Sequence, residues 1–337
     1  MSRALAVLAP EKVTLQEREA PIPRDGEIVV RPVAIGLCGT DLEIVDGRID
    51  PAYVRYPVVI GHEWTGTVAR DPERKLAVGT RVVVEGIVPC GVCTFCRARK
   101  TNLCLNYDEL GFTRDGAAAD LAVVPAGLVH TIEASVPTDD AALAEPCAVV
   151  YRGLRRADPT EGERCLVVGD GTIALLAVHL LGMFAPSEVV MLGLRPEQEG
   201  LALRLGATRF ESDVSRTGRD YDLVVEAAGA TAAAVTAIEA AGRGGTVVLL
   251  GLPPHGERAA IAVDDLVNAD LSVLGSFGYT STAWREVVEL LNAGRIHPSG
   301  VITHRFELDD WEQALATLRH ADGPRGKVLL EIGDRPA

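Results

Sequence analysis

Residues 165–183 combine a short apolar segment, a glycine-rich turn and a second apolar segment without interruption. Cys165–Val168 runs directly into Gly169-Asp-Gly-Thr-Ile-Ala174, and Leu175–Met183 follows. In a dinucleotide-binding unit the first glycine allows the tight turn, the second lets a pyrophosphate approach the backbone, and a small third residue lets helix and strand pack closely. An ordinary strand-to-helix turn is the alternative. Because free N–H groups at a helix start attract phosphates, we expect cofactor contacts from Gly169, Gly171, Thr172 and Ile173.

Further apolar runs follow this unit, separated by helix-compatible segments rich in Ala, Leu and Glu: Glu188–Leu192, Asp222–Glu226, Thr246–Leu250 and Leu271–Leu274. Strands that alternate with helices predict a doubly wound α/β domain with a parallel sheet from about Thr160. The first third reads instead as short strands broken by turns, which predicts a β-rich region: Ile28–Val33, Thr65–Ala69 and Arg81–Val84. A length of 337 residues allows two domains.

The end of the second strand of the α/β domain bears on the choice of cofactor. NAD enzymes place an acidic residue there to hydrogen-bond the ribose hydroxyls. This chain has Gly193, Leu194 and Arg195 instead. Gly193 leaves room for a 2′-phosphate and Arg195 can pair with it, so the sequence favours NADP, with NAD possible. The alternative is that Arg195 is a solvated residue opening the next helix.

Four of the seven cysteines lie within one loop, at Cys90, Cys93, Cys96 and Cys104. Four thiolates in a tetrahedron suit Zn²⁺ and leave no open position for chemistry. Iron–sulfur proteins use other spacings, and disulfides are rare in the cytosol. The spacing therefore predicts a structural zinc in a lobe spanning about residues 88–106.

A second group of metal-binding residue types is dispersed along the chain, at Cys38, His62, Glu63 and Glu145. The cysteine could equally be an ordinary buried residue, the histidine a buried residue with its hydrogen bonds made within the protein, and the glutamates ordinary carboxylates. Their separation in sequence is too large for spacing to join them. The residues alone do not decide whether the chain has a catalytic metal site.

Composition excludes several classes of function. Hydrophobic residues make up 47% and charged residues 24%, which fits neither a disordered chain nor a coiled coil. The net charge of −14 opposes binding to nucleic acid or to an anionic membrane surface. No apolar stretch is long enough to cross a bilayer, and the N-terminal apolar run is too short for a secretory signal. We expect a cytoplasmic protein.

Several motifs resemble those of the zinc-dependent medium-chain alcohol and polyol dehydrogenases. They are Cys38-Gly-Thr-Asp41, Gly61-His-Glu-Trp-Thr-Gly66, the four-cysteine lobe, Glu145-Pro146, the Gly169 turn and Gly326-Lys-Val-Leu-Leu330. The resemblance covers nearly the whole chain. It implies a GroES-like β-rich catalytic domain (residues 1–150), a Rossmann domain (151–279) and a C-terminal segment (280–337) that returns to the catalytic domain.

The resemblance also implies roles for individual residues. Cys38 and His62 are zinc ligands, and Glu145 takes the third ligand position, as in the sorbitol and glucose dehydrogenase branches. Glu63 corresponds to the family position that is either a movable fourth ligand or a carboxylate next to the ligands. Thr40 corresponds to the hydroxyl that relays the substrate proton, although a threonine in a turn often bonds only to backbone. Many relatives carry a histidine where this chain has Glu43.

The resemblance to particular branches points to a polyhydroxylated substrate. Residues 38–47 are similar to the glucose dehydrogenase branch, which commonly uses NADP. Residues 109–116 are similar to polyol and aminocyclitol dehydrogenases. Glu109 is a candidate acceptor of hydrogen bonds from substrate hydroxyls, and a solvated loop carboxylate is the alternative.

The leading hypothesis is therefore a homo-oligomeric enzyme, a dimer or tetramer, that holds two zinc ions per chain. It transfers a hydride between NADP and a sugar, polyol or aminocyclitol hydroxyl. One alternative is an NAD-linked secondary-alcohol or amino-alcohol dehydrogenase of the threonine or butanediol type. Another is a zinc-holding binding protein without turnover, although such a protein needs no open metal site.

Overall fold

The computed structural model describes residues 1–333, which divide into two compact units. Unit 1 contains residues 1–145, 279–322 and 327–333, and unit 2 contains residues 146–278 and 323–326. The predicted boundary at residue 150 lies inside a helix that begins at Ala144. Residues 323–326 belong to unit 2, contrary to the expectation for residues 280–337, because Arg325 exchanges backbone hydrogen bonds with the Gln198 side chain.

The strands are β1 (Ser2–Ala9), β2 (Lys12–Arg18), β3 (Glu27–Leu37), β4 (Val58–Val59), β5 (Glu63–Arg70), β6 (Arg81–Val84), β7 (Ala122–Pro125), β8 (Val129–Thr131), β9 (Arg164–Val168), β10 (Glu188–Leu192), β11 (Arg209–Glu211), β12 (Tyr221–Glu226), β13 (Ala241–Leu249), β14 (Ser272–Gly275), β15 (Ile302–Glu307) and β16 (Lys327–Glu331). The α-helices are α1 (Gly39–Val45), α2 (Thr94–Arg97), α3 (Thr138–Ala142), α4 (Ala144–Ala157), α5 (Thr172–Leu181), α6 (Glu199–Arg204), α7 (Val214–Thr217), α8 (Thr231–Ala240), α9 (Val263–Asn268), α10 (Ser281–Asn292) and α11 (Trp311–Arg319). Short 3-10 helices span Thr101–Leu103, Ala126–Leu128, Gly182–Phe184, Pro196–Gln198, Pro298–Val301 and Leu308–Asp310.

Unit 1 is built on two β-sheets. One has the order β2-β1-β4, and the larger one has the order β15-β16-β3-β5-β6-β8 with β7 also paired to β3. Its pairs are antiparallel apart from β15 with β16. Fully buried side chains such as Leu5, Ile35 and Trp64 form the core between these strands. The β-rich first third is as the short apolar runs predict.

Unit 2 contains one parallel sheet with the order β11-β10-β9-β12-β13-β14. Numbered within the unit this is 3-2-1-4-5-6, the order of a Rossmann domain, in which nucleotides bind beyond the carboxyl ends of the central strands. Leu166, Val190, Val224 and Val247 are completely buried in the core. The predicted α/β fold class is confirmed. None of the helices in residues 1–333 is both long and apolar enough to cross a membrane.

The register of three strands brings distant parts of the chain together in unit 1. β3 is antiparallel to β5, with Gly36 opposite Glu63. It is also antiparallel to β16, with Leu37 opposite Val328. The end of β3 therefore lies beside the starts of β5 and β16. Residues near 38, 62 and 327 meet at this edge of the sheet.

Candidate active site and cofactor site

Three of the predicted ligands meet at this edge of unit 1. Cys38 follows β3, His62 precedes β5 and Glu63 begins it, and each offers a ligand atom within 4.8 Å of the other two. His62 and Glu63 are 5% and 1% exposed. The Thr40 hydroxyl lies 3.6 Å from the Cys38 sulfur. A thiolate, an imidazole and a carboxylate form a donor set that suits Zn²⁺, so these residues fit the metal that the motifs imply.

Asp41, which the sequence reasoning did not single out, organises this site. It is fully buried and accepts a hydrogen bond from the Cys38 N–H at 2.8 Å. Its Oδ1 lies 3.5 Å from Nδ1 of His62. Burial acts to raise the pKa of Asp41, but His62 and the Cys38 amide hold it below the usual value. Metal-binding histidines generally direct their second ring nitrogen toward such a carboxylate. Asp41 at the third position of α1, with Cys38 at its N-cap, is a capping-box pattern visible in the sequence.

A buried lysine holds the carboxylate of Glu63. The Lys327 ammonium contacts Glu63 Oε2 and donates a hydrogen bond to the Leu37 carbonyl at 3.2 Å. Both side chains are almost inaccessible, at 2% for Lys327 and 1% for Glu63. A side chain at Gly36 would meet the Glu63 carboxylate, so only glycine fits there. Sequence reasoning missed Lys327 because its partner lies 264 residues away.

Glu145 lies in the first turn of α4 and is 8% exposed, but it is outside the set of three close ligand atoms. Burial, together with the nearby charge of Glu63, raises the pKa of Glu145 to about 8. A buried carboxylate next to another acid is costly unless a positive charge compensates it. A divalent cation between Cys38, His62 and these two acids would supply that charge.

Glu109 lies near His62 and Glu145. Its carboxylate accepts a hydrogen bond from the Tyr107 hydroxyl, and its N–H donates to Thr113 Oγ1 at 2.8 Å. Burial raises the pKa of Glu109, while Tyr107 and His62 oppose that change. The charge of Glu109 in turn contributes to the raised pKa of Glu145. Tyr107 is a further polar residue of this site that the sequence reasoning did not identify.

The four cysteines of the lobe also converge. Their sulfur atoms all lie within 4.8 Å of one another, and each residue is half-buried. Backbone N–H groups point at two of the sulfurs, from Cys90 to Cys104 at 3.3 Å and from Cys96 to Cys93 at 3.4 Å. Such donors favour thiolates. Helix α2 and the turn at residues 101–103 provide this geometry, which fits a tetrahedral zinc.

We predict that Cys96→Ser removes this structural zinc and lowers the thermal melting temperature by several degrees. Loss of one of four thiolates opens the site, and metal binding contributes directly to the stability of such lobes. Metal analysis and thermal denaturation check the prediction. An unchanged zinc content would show that the four cysteines hold no zinc.

The glycine turn of unit 2 has the geometry that its motif predicts. Gly169 has a φ of +124°, and a Cβ there would lie 2.9 Å from the backbone of Ala227 and Ala228. Gly171 is the N-cap of α5, and a Cβ there would meet nothing within 4 Å. The first two residues of α5, Thr172 and Ile173, are half-buried. The open space at Gly171, beside free helix N–H groups, fits a pyrophosphate.

The space beside Gly193 is filled by Asp170, which corrects the expectation that it is open for a phosphate. A Cβ at Gly193 would lie 2.6 Å from the Asp170 Cβ. Asp170 Oδ2 accepts hydrogen bonds from the N–H groups of Leu194 and Arg195, each at 2.9 Å. Oδ1 accepts from Nε and Nη2 of Arg195 at 3.1 and 2.8 Å. Arg195 is therefore fixed by an ion pair, whereas the Leu194 side chain is 87% exposed.

A metal-binding cluster in a β-rich unit and a glycine turn in a Rossmann unit define the class of metal-dependent, nucleotide-linked dehydrogenases. A model of the alcohol dehydrogenase GroES-like domain matches residues 24–134, and a model of the glucose dehydrogenase C-terminus matches residues 138–322. The chain therefore belongs to the zinc-dependent medium-chain dehydrogenase family, whose members are NAD(P)-dependent oxidoreductases that act on CH–OH groups. The family resemblance inferred from the motifs is confirmed.

Individual relatives are similar to this chain along nearly its whole length. L-threonine 3-dehydrogenase of Paraburkholderia phymatum is 30% identical over 334 residues, which cover 95% of this chain and 96% of the relative. The structure of a zinc-binding dehydrogenase from Sinorhizobium meliloti 1021 bound to NADP is 28% identical, with a TM-score of 0.92 and coverage of 98% and 99%. An alcohol dehydrogenase from E. coli CFT073 complexed with NADH is also 28% identical, with a TM-score of 0.91 and the same coverage.

Proposed function

We propose that this protein transfers a hydride between NADP, in preference to NAD, and a secondary hydroxyl or carbonyl of a sugar, polyol or aminocyclitol. The observation that supports this most is the cluster of half-buried Cys38 with buried His62 and Glu63, beside which lie further carboxylates. We assign Cys38, His62 and Glu145 as ligands of a catalytic zinc, with Glu63 as the exchangeable fourth group. We assign the lobe cysteines to a second, structural zinc.

A bound zinc supplies Lewis-acid chemistry, stabilising the alkoxide form of an alcohol or polarising a carbonyl. The residues of the chain perform the remaining tasks. Thr40, next to Cys38, relays the substrate proton: its hydroxyl accepts a hydrogen bond from the substrate hydroxyl and, as the substrate proton moves onto it, passes its own proton on to water. Asp41 orients His62, and Lys327 holds Glu63 in place. Glu43 stands where many relatives have histidine.

The charges around the site favour a neutral or cationic polyhydroxylated substrate. The charges of Glu63 and Glu109 both act on Glu145, and the nearby ammonium of Lys327 is engaged with Glu63. Carboxylates accept hydrogen bonds from hydroxyl or ammonium groups and repel a phosphate or a second carboxylate. A sugar, polyol or aminocyclitol matches these groups better than an anionic substrate.

A second candidate function is oxidation of an amino alcohol such as threonine with NAD. The 30% identity to L-threonine 3-dehydrogenase over nearly the whole chain favours it. The carboxylate of an amino acid would have to approach the acidic residues of the site, which argues against this substrate. Parallel assays with threonine, butanediol, sugars, polyols and cyclitols distinguish the two candidates.

We also propose that the chain forms a homo-oligomer, a dimer or tetramer. β14 is paired on one side only, with β13, among the strands in residues 1–333. Val263, Val267 and Val273, on α9 and β14, are 67%, 74% and 38% exposed. An exposed edge strand with apolar side chains next to it favours pairing with a second copy. Light scattering gives the mass in solution that decides this point.

Glu109→Gln should raise KM for the polyhydroxylated substrate about tenfold and change kcat much less. A charge-assisted hydrogen bond to substrate is weakened, while the metal site is left intact. Steady-state kinetics check this expectation. Glu133→Gln, an exposed carboxylate of the same unit, is the control and should leave KM unchanged. An unchanged KM in Glu109→Gln would assign Glu109 to structure only.

A further inference from the structure

The Tyr279 hydroxyl lies beside Glu109, and both residues belong to unit 1. Tyr279 is 1% exposed. Its hydroxyl oxygen accepts hydrogen bonds from the N–H groups of Gly86 at 2.8 Å and Ile87 at 3.3 Å. A Cβ at Gly86 would lie 3.3 Å from this oxygen and 3.6 Å from Oε1 of Glu109. Both polar groups therefore face the same space, which glycine at position 86 leaves free of a side chain.

The turn that carries Glu109 packs against the metal-binding cluster. A Cβ at Gly111 would lie 3.3 Å from the backbone of Gly61, the residue before His62. The ring of Phe112, in the same turn, lies 5.1 Å from the ring of His62. The space between Tyr279 and Glu109 is therefore next to the candidate active site.

Tyr279 and Glu109 differ in what they can still bind. Two N–H donors fill the acceptor sites of the Tyr279 oxygen, and burial, followed by the charge of Glu145, raises the pKa of this hydroxyl, so it keeps its proton. Among residues 1–333 no acceptor lies within hydrogen-bond distance of that proton. Glu109 accepts from Tyr107 through Oε2, whereas Oε1 accepts no hydrogen bond from the same residues. The pair thus offers one donor and one acceptor.

Tyr279 is held in place from the start of α10. Ser281 Oγ donates a hydrogen bond to the buried carboxylate of Glu85 at 2.6 Å, and the Ser281 N–H donates to Thr101 Oγ1 at 2.9 Å. The ring of Trp284 lies 5.0 Å from the ring of Tyr279. A hydroxyl fixed in this way loses little further freedom when it binds a ligand.

We propose that Tyr279 and Glu109 together bind one hydroxyl of the substrate: Tyr279 donates a hydrogen bond to its oxygen, and Glu109 accepts one from it. This inference rests on the proposed function and narrows its substrate class. A hydroxyl has both a proton and a lone pair, whereas an ammonium group has no lone pair to accept from Tyr279. The substrate therefore carries a hydroxyl, not an amino group, at the carbon that faces these two residues.

The test uses the polyhydroxylated compound with the highest kcat/KM in the parallel assays, together with its monodeoxy and monoamino analogues. Tyr279→Phe should raise KM for the parent compound about tenfold and change kcat less than about twofold. For one deoxy analogue, KM should agree within about twofold between the variant and the unmodified protein, because that analogue lacks the hydroxyl that Tyr279 binds. The amino analogue at the same carbon should have a KM at least about tenfold above that of the parent compound.

Two further variants separate binding from folding. Gly86→Ala retains the Tyr279 hydroxyl, narrows the space beside it and should also raise KM about tenfold. Tyr221→Phe removes a buried hydroxyl from unit 2, where it donates to the Thr217 carbonyl, and should leave KM unchanged.

Three results would overturn the inference and leave the proposed function intact. They are an unchanged KM in Tyr279→Phe, an equal rise in KM for the parent compound and every deoxy analogue, and a lower KM for the amino analogue than for the parent compound. An equal rise would show that Tyr279 has only a structural role. Absence of turnover with every polyhydroxylated compound would overturn both the inference and the proposed function.

Discussion

Lys327→Met should lower the free energy of unfolding of the zinc-free protein by about 3–5 kcal/mol, because without metal it leaves the buried carboxylate of Glu63 without a positively charged partner. Both side chains are at most 2% exposed, so water cannot replace the lost ammonium. The same change also removes the hydrogen bond to the Leu37 carbonyl. Equilibrium unfolding in urea measures the effect.

Two further variants separate the buried charge from loss of packing. The double variant Glu63→Gln with Lys327→Met should regain much of the lost stability, because no unpaired charge remains. Lys75→Met removes an exposed lysine that pairs with Glu73 and should hardly change the unfolding midpoint. Equal stability of Lys327→Met and the unmodified protein would show that the buried pair contributes nothing.

Cys38→Ser should remove one of two zinc ions and lower kcat at least about a thousandfold while the fold is retained. Stabilisation of the developing alkoxide by a metal contributes several kcal/mol, and each 1.4 kcal/mol is about a factor of ten in rate. Metal analysis, circular dichroism and steady-state kinetics together check the prediction. Cys165→Ala, in the buried strand β9, should keep both zinc ions and full turnover.

Cys96→Ser completes this comparison because it should lose the other zinc and keep turnover in the molecules that remain folded. Opposite effects of the two cysteine substitutions would separate a catalytic site from a structural one. Full activity of Cys38→Ser would exclude the cluster at Cys38 and His62 as the catalytic centre.

The fold of unit 2 could be predicted because its signals are local. Cys165–Val168, the Gly169 turn and the apolar helix that follows are continuous in sequence, and the later strands are short apolar runs of the usual length. The four-cysteine lobe was predictable for the same reason, since all its ligands lie in one loop. β15 was not predicted because Ile302–Glu307 mixes apolar with polar and charged residues, none of them fully buried, and has no apolar run.

The candidate active site depends on pairings that sequence spacing cannot show. Cys38 and His62 meet because β3 and β5 are antiparallel in one particular register. Lys327 joins them only because β16 pairs with the other side of β3. Asp170 lies in a recognisable motif, but its ion pair with Arg195 depends on where the next strand ends.

Oxidation assays of the zinc-replete protein, with NADP and with NAD, decide whether this enzyme oxidises a polyhydroxylated substrate with the help of zinc. The substrates are neutral sugars, polyols and cyclitols, aminocyclitols, threonine and butanediol, and formation of reduced nicotinamide is recorded. We expect the highest kcat/KM with a polyhydroxylated substrate and NADP, loss of turnover on chelation, and recovery on addition of zinc. Turnover that prefers threonine with NAD, or that survives removal of all zinc, would show that the protein is not a zinc-dependent polyol dehydrogenase.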